Sequence, residues 1–438
     1  MNRPFGSWGR YPQNSHHTHK LLWSTDPLPP SNGQLMLAYG FGRSYGDSCQ
    51  NNAGTLLLTQ ALNHFLAFDQ EQGLLRCESG VSLDEVLKLI VPYGYFLPTT
   101  PGTKFITVGG ALANDVHGKN HHRAGTFGCA VTQFELLRSN GERLLCSPEL
   151  NPEWFRATVG GLGLTGLITW VEFKLRRIES AFIKVESLKF RNIQEFFEIS
   201  AESDTHFEHT VSWLDCLSKG ASLGRGILMR GNHAPASAGN LKAHRQPKLS
   251  VPCDLPGFAL NQWSIKVFNA AYYSRLRAKA TLATTHYDPF FYPLDVLNHW
   301  NRIYGRRGFF QYQFVVPFAG DQTVIREILG KIAASGQGSF LAVLKAFGNR
   351  KSPGLLSFPR EGITLALDIP NRGRQTLDLL NALDLTVSAA GGRLYPAKDA
   401  RMSAAMFQTS YPEWQEFANY VDPAFSSGFW RRVTGGSE

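Results

Sequence analysis

Two glycine-rich stretches constrain this 438-residue chain more than any other feature. The first, Tyr39-Gly-Phe-Gly-Arg-Ser-Tyr-Gly-Asp47, follows the short apolar run Leu35-Met36-Leu37-Ala38, so turn chemistry begins where a strand ends. Gly40, Gly42 and Gly46 are free to take positive φ, and a turn of this kind aims several backbone N–H groups at one anion. The second stretch, Pro101-Gly-Thr-Lys-Phe-Ile-Thr-Val-Gly-Gly110, repeats the arrangement with Gly102, Gly109 and Gly110, and Asp115-Val-His-Gly-Lys-Asn-His-His122 follows it. Fixed donors suit a pyrophosphate, so the two loops are expected to close on a dinucleotide from different sides.

In order and spacing, Gly-Arg-Ser-Tyr-Gly-Asp, Pro-Gly-Thr, Val-Gly-Gly-Ala and His-Gly-Lys-Asn-His-His resemble the FAD-linked oxidases of the vanillyl-alcohol-oxidase fold. Within that group the chain is similar to the decaprenylphosphoryl-β-D-ribose 2-oxidases. The similarity continues through Thr158-Val-Gly-Gly-Leu-Gly-Leu-Thr-Gly166, Phe310-Gln-Tyr-Gln-Phe314 and Tyr395-Pro-Ala-Lys-Asp399, and so spans nearly the whole chain. It implies that FAD is held by Gly40, Gly42, Arg43, Ser44, Tyr45, Gly46, Asp47, Gly102, Thr107, Gly109, Gly110, Asn114, His117, Ile168 and Tyr395. Many oxidases of this fold attach the flavin covalently through a histidine near the Gly-Arg-Ser loop. Tyr45 stands there instead, which implies non-covalent FAD, with His117, His121 and His122 as the remaining attachment points.

One motif points elsewhere and is rejected. Gly161-Leu-Gly-Leu-Thr-Gly166 satisfies the G-x-G-x-x-G pattern of nicotinamide-binding folds, which needs a strand before it and a helix after it. Here a helix over 152–157 precedes and a β-rich run over 167–175 follows.

Composition narrows the partners. A formal charge of +9 favours anionic ones, yet the basic residues are scattered and no zinc-finger, homeodomain or RNP-like pattern appears, so no nucleic-acid role is expected. Six dispersed cysteines without a Cys-x-x-Cys pair argue against a disulfide framework or zinc site, and His16, His17 and His19 read as a solvated segment, so no metal is expected. The first residues lack the apolar core of a signal peptide and no run approaches ~18 apolar residues, which predicts a cytoplasmic protein; a peripheral place on the inner face of the membrane is one reading of segment 232–280.

The fold class expected is α+β, with two domains. Short strands over 55–58 and 74–78, a capping box Ser82-Leu-Asp-Glu85 opening a helix to about Pro92, and a hairpin turned by Asn140-Gly141 belong to an FAD-binding part, residues 1–179. Strands over 310–316, 340–345 and 363–368 belong to a sheet-containing substrate domain, 180–392, and 393–438 return to the FAD domain. The segment 232–280 sets Trp263, Val267 and Phe268 beside Arg275, Arg277 and Lys279, which fits either a flap touching lipid or a structured cap.

Substrate residues are sought where a side chain breaks its local pattern. On a strand, Gln311 and Gln313 share one face while Phe310, Tyr312 and Phe314 share the other; the amides suit polyhydroxyl recognition, unless this is a solvent-facing edge. Lys345 falls on the face of Leu341, Val343 and Phe347 and needs an anionic partner or a route to water. With Tyr45, these are the candidate substrate-binding residues. Oxidising a secondary alcohol also requires loss of its O–H proton, and Lys398 is the candidate for that step, with Tyr395, His117 and Lys119 beside it. An ion pair with Asp399 is the alternative for Lys398. Some relatives carry a cysteine where the Asp-x-Pro anchor puts Ala366, so covalent inhibitors needing that thiol should fail here.

The activity these readings imply is oxidation of a ring hydroxyl of a polyprenyl-phosphate-linked ribose, followed by a partner reductase acting on the keto product. The rival activities are oxidation of small free sugars, alditols or aldonolactones on the same fold, and a non-catalytic basic protein.

Overall fold

The computed structural model describes residues 5–435. Near the N-terminus β1 (His17–Lys20), β2 (Met36–Tyr39) and β3 (Thr55–Leu58) form a parallel sheet in the order β1-β3-β2. The leucines of central β3 are buried, as a strand flanked on both sides requires. A five-stranded antiparallel sheet follows, in which β4 (Phe65–Asp69), β5 (Leu74–Glu78), β6 (Val131–Leu137), β7 (Arg143–Cys146) and β8 (Leu167–Lys174) take the order β4-β5-β8-β6-β7. Asn140-Gly141 turns β6 into β7, with Gly141 at φ 86°.

Helix α1 (Leu83–Ile90) begins at the expected box: Ser82 Oγ accepts from the Glu85 N–H at 3.1 Å, and the Glu85 carboxylate accepts from the Ser82 N–H at 2.8 Å. Its Leu83, Val86, Leu87 and Ile90 are buried along one stripe. Helix α2 (Val108–Ala113) is capped by Thr107 Oγ1, which accepts from the Gly110 N–H at 3.0 Å. The segment 161–166 lies between the helix Pro152–Thr158 and β8, the reverse of a nicotinamide site.

The eight-stranded antiparallel sheet is built from β9 (Phe182–Phe190), β10 (His209–Leu214), β11 (Gly226–His233), β12 (Ala280–His286), β13 (Phe309–Val316), β14 (Ala342–Phe347), β15 (Gly362–Pro370) and β16 (Arg393–Leu394). Their order is β12-β9-β11-β10-β14-β15-β13-β16. One face packs Phe310, Tyr312, Phe314, Leu365 and Leu367 into the largest hydrophobic core with α3 (Ile193–His206), α5 (Asp321–Ser335) and α6 (Arg374–Ala389). Helix α4 (Gln262–Ser274), inside the segment read as flap or cap, is tied down by Asn269, whose amide donates to Asp215 at 2.9 Å, and by Tyr272, whose ring lies 4.5 Å from that of Trp213. Its outer residues Trp263 and Val267 stay exposed.

The chain end returns to the start. Helix α7 (Gly428–Thr434) packs on the turn after β2, where Arg432 pairs with Asp47 at 2.7 Å and with Asp399 at 2.8 Å. No helix among the described residues is long and apolar enough to cross a membrane.

Candidate active site

A cavity of about 470 Å³ opens between the glycine loops and the second face of the eight-stranded sheet. The loop after β2 and the loop before α2 are held against one another: a Cβ placed on Gly40 would stand 2.7 Å from Thr107 Oγ1. Gly42 takes φ +61°, and a Cβ there would strike the Tyr39 hydroxyl at 2.0 Å, so this turn accepts no other residue without rearrangement.

The opposite wall follows from strand register. Gln313 faces Ala366, Ala366 faces Val343, and Lys345 faces Thr364; all of these line the cavity with Gln311. Phe310, Tyr312 and Phe314, on the other side of β13, are core. The strand is internal, between β15 and β16, and Gln313 is buried, so the solvent-edge reading is set aside.

The Gln313 amide donates to His117 Nε2 at 3.0 Å. That bond assigns the His117 proton to Nδ1, and burial together with the charges of Lys345, His121 and Lys398 holds the imidazole well below its ordinary pKa. The Lys398 ammonium lies 3.9 Å from the Tyr45 ring centroid. No carboxylate comes within ion-pair reach of it among the described residues, and the neighbouring Asp399 is taken by Arg432. Burial lowers Lys398 to about 7, offset in part by Asp368 and reinforced by Lys345. Burial also lowers Lys119 to about 7, with Lys345 adding to the effect, and lowers Lys345 to about 8. Three half-buried amines thus face one cavity close to the pH at which they lose charge.

Residues 29–147 match the FAD binding domain family. Over 419 residues the chain is 36% identical to decaprenylphosphoryl-β-D-ribose oxidase of Mycolicibacterium smegmatis, covering 92% of this chain and 89% of that protein. The chain belongs to the decaprenylphosphoryl-β-D-ribose oxidase family. It is an FAD-dependent oxidoreductase with the α+β FAD-binding fold of that group. An uncharacterised protein of Streptomyces coelicolor is 30% identical over 369 residues, 81% of this chain and all of that protein. A D-arabinono-1,4-lactone oxidase of Neurospora crassa, so named putatively, is 32% identical over only 112 residues, 26% of this chain and 20% of its own.

The residues present fit the FAD that this family uses. Among the described residues the N–H groups of Phe41, Gly42, Arg43 and Ser44 find no acceptor, which is the donor set a pyrophosphate needs. The buried hydroxyls of Ser48 and Ser79 and the Nδ1 of His117 also line the cavity without partners. Buried polar atoms left unpaired are costly, so a ligand that pairs them gains that energy.

Of the residues expected at the cofactor, Gly40, Gly42, Arg43, Ser44, Tyr45, Gly102, Thr107, Gly109, Gly110, Asn114, His117, Ile168 and Tyr395 line this cavity. Gly46 and Asp47 do not. Gly46 lies against the Asp399 backbone, where a Cβ would come within 1.8 Å of the carbonyl oxygen, and Asp47 is spent on Arg432. They brace the loop from behind, because its buried carboxylate is paired to the chain end rather than turned inward. The Tyr395 hydroxyl donates to the Asn114 carbonyl at 2.8 Å, and its ring stacks on Phe358 at 4.6 Å, so this side chain ties the return segment to the glycine loop. Lys119 donates to the Phe291 carbonyl at 3.2 Å. Sequence reading missed Ser48, Ser79, Thr364 and Trp213 on the lining. Thr364 carried a usable signal, since it shares a strand face with Ala366.

Proposed function

We propose that the protein oxidises the 2-hydroxyl of a polyprenyl-phosphate-linked ribose to the keto sugar, toward arabinose formation for cell-envelope glycans. The observation that carries this reading is the pairing of an amide row, Gln311 and Gln313, with three amines, Lys119, Lys345 and Lys398, in one cavity. Amides suit sugar hydroxyls and the amines suit a phosphodiester. The relative that matches most of the chain is named for a lipid-linked ribose, whereas the lactone oxidase matches only part of it. Apolar lining by Trp213, Tyr272, Phe290 and Leu297 favours a substrate with a hydrocarbon tail over a small free sugar.

FAD, when bound, accepts the hydride of the carbinol carbon. The protein's own part is to hold and deprotonate. Lys398, unpaired and near its neutral form at pH 7, takes the hydroxyl proton; Gln311 and Gln313 orient the ring; Lys345 and Lys119 hold the phosphate. His117, fixed by Gln313, and Tyr395 shape the floor beside the glycine loop. FAD is held without a covalent bond, by a domain comprising 1–179 and 393–438, and 180–392 form the substrate domain, with Lys119 and Lys398 reaching the substrate from the FAD side. The keto product passes to a partner reductase. The enzyme meets the membrane peripherally through Trp263, Val267 and Phe268, exposed on α4, with Arg275, Arg277 and Lys279 following the end of that helix.

Anaerobic addition of synthetic polyprenylphosphoryl ribose should bleach the flavin, while free ribose, alditols and aldonolactones at equal concentration should not. Equal bleaching by the free sugars would favour the small-sugar oxidase.

A further inference from the structure

Asp368 stands on the wall-forming face of β15, two residues from Ala366, with 1% exposure. Its Oδ1 accepts from Gln311 Nε2 at 2.5 Å, and its Oδ2 has no partner among the described residues. The Tyr304 hydroxyl is equally unpartnered, and burial raises its pKa with the Asp368 charge adding to the effect. A buried carboxyl served by one amide, with no arginine or lysine in ion-pair contact among the described residues, is expensive to maintain, which is the arrangement of a tuned site rather than a structural one. The Gln311 amide also lies beside the Tyr45 hydroxyl, close enough to act on its ionisation, and the Tyr45 ring carries the Lys398 ammonium 3.9 Å from its centroid. Asp368, Gln311, Tyr45 and Lys398 therefore form one chain of contacts drawn from β15, β13, the glycine turn and the return segment.

We propose that Asp368 is a positioning residue for the oxidation: through Gln311 it locks Tyr45 beneath Lys398, and its charge stabilises the ammonium that Lys398 becomes on taking the hydroxyl proton. This rests on the reading of Lys398 as proton acceptor. In that step the substrate O–H bond breaks and its proton goes to Lys398 Nζ; the carbon-bound hydride goes to the flavin of the established activity, leaving the C=O bond. The groups facing Lys398 are Tyr45, Asp368, Lys345 and His117; Asp368 raises its pKa and Lys345 lowers it. Asp368 itself is pushed up to about 7 by burial, with Gln311 and Lys398 opposing, so its charge is developed at neutral pH and above.

Asp368→Asn keeps an oxygen for the Gln311 amide and removes the charge. Losing a nearby opposite charge should lower the Lys398 pKa by about one unit. Two measurements read this independently. The pH dependence of Lys398 acylation, followed by mass spectrometry on the FAD-loaded protein, needs no substrate and should shift down by about one pH unit. The acid limb of anaerobic flavin reduction should shift with it, at near-parental KM. Asp368→Leu, which also frees Gln311, should add a several-fold rise in KM. An unchanged Lys398 acylation profile in folded, flavin-replete Asp368→Asn would overturn the proposal whatever the substrate proves to be. Should that variant not hold flavin, Tyr45→Phe tests the relay: it keeps the Asp368 charge and removes the hydroxyl beside Gln311, so a several-fold higher KM supports the proposal and a parental KM overturns it.

Discussion

Gln313 Nε2 donates to His117 Nε2 across 3.0 Å, joining a strand of the eight-stranded sheet to the loop that follows α2. It leaves His117 Nδ1 as a buried donor on the cavity lining, with the ring packed against Phe347, Phe358 and Tyr395. The geometry of the candidate site therefore depends on how the halves of the chain meet, and each expectation below tests one part of that meeting.

Tyr45 supplies no imidazole for a flavin link, and its ring is occupied by Lys398. Acid precipitation of the purified enzyme should release FAD into the supernatant. Yellow colour retained by the washed pellet would show a covalent bond.

Gly110 lines the cavity in the first turn of α2, where an added Cβ would meet Thr107 Oγ1 at 2.9 Å. Gly110→Val should disturb the Thr107 cap and fill space on the cofactor side, so the folded protein should purify without FAD. Normal flavin content with an intact circular dichroism spectrum would remove this loop from the cofactor site.

Lys398→Ala should keep FAD and melt close to the parent, because its ammonium makes no ion pair to lose. Flavin reduction by the lipid-linked sugar should slow by roughly 10²–10⁴-fold, the usual cost of removing a positioned acid–base group. Stopped-flow reduction at the parental rate would transfer the role to Lys119 or His117.

Lys119 has an ordinary pKa of 10.5, lowered in the fold to about 7. Between those values the folded chain binds fewer protons there than the unfolded chain, so this residue makes stability rise with pH across about 7 to 10.5. Lys119→Met should therefore melt higher than the parent, most clearly below pH 7, with the difference fading toward pH 10. Thermal melts of the holoenzyme from pH 6 to 10 check the sign; a pH-independent difference would contradict it.

Arg432 is shared by Asp47 and Asp399, whose carboxylates are almost wholly enclosed. Arg432→Ala strands both, and removing one partner of a buried pair costs about 3–5 kcal/mol. Chemical denaturation should register a loss of that size together with weaker FAD retention, since Asp47 braces the cofactor turn. A change below about 1 kcal/mol would mark the pairs as solvent-screened.

Much of the fold and cofactor chemistry could be read along the chain because it is local. The glycine turns, the Ser82–Glu85 box, the Asn140-Gly141 hairpin and the period-two face of Gln311 and Gln313 each depend on neighbours within a few residues, and steric limits on φ and strand alternation act at that range. Asp47 escaped such reading, since an acid in a glycine loop looks alike whether it faces a cofactor or an arginine near the chain end. The Tyr395 hydroxyl, held by Asn114, and the isolation of Asp368 beside Lys398 were equally out of reach. Burial and partner choice set those properties: a carboxyl or amine acquires its charge state from groups far away in sequence, and only the packing of the two halves brings them within electrostatic range.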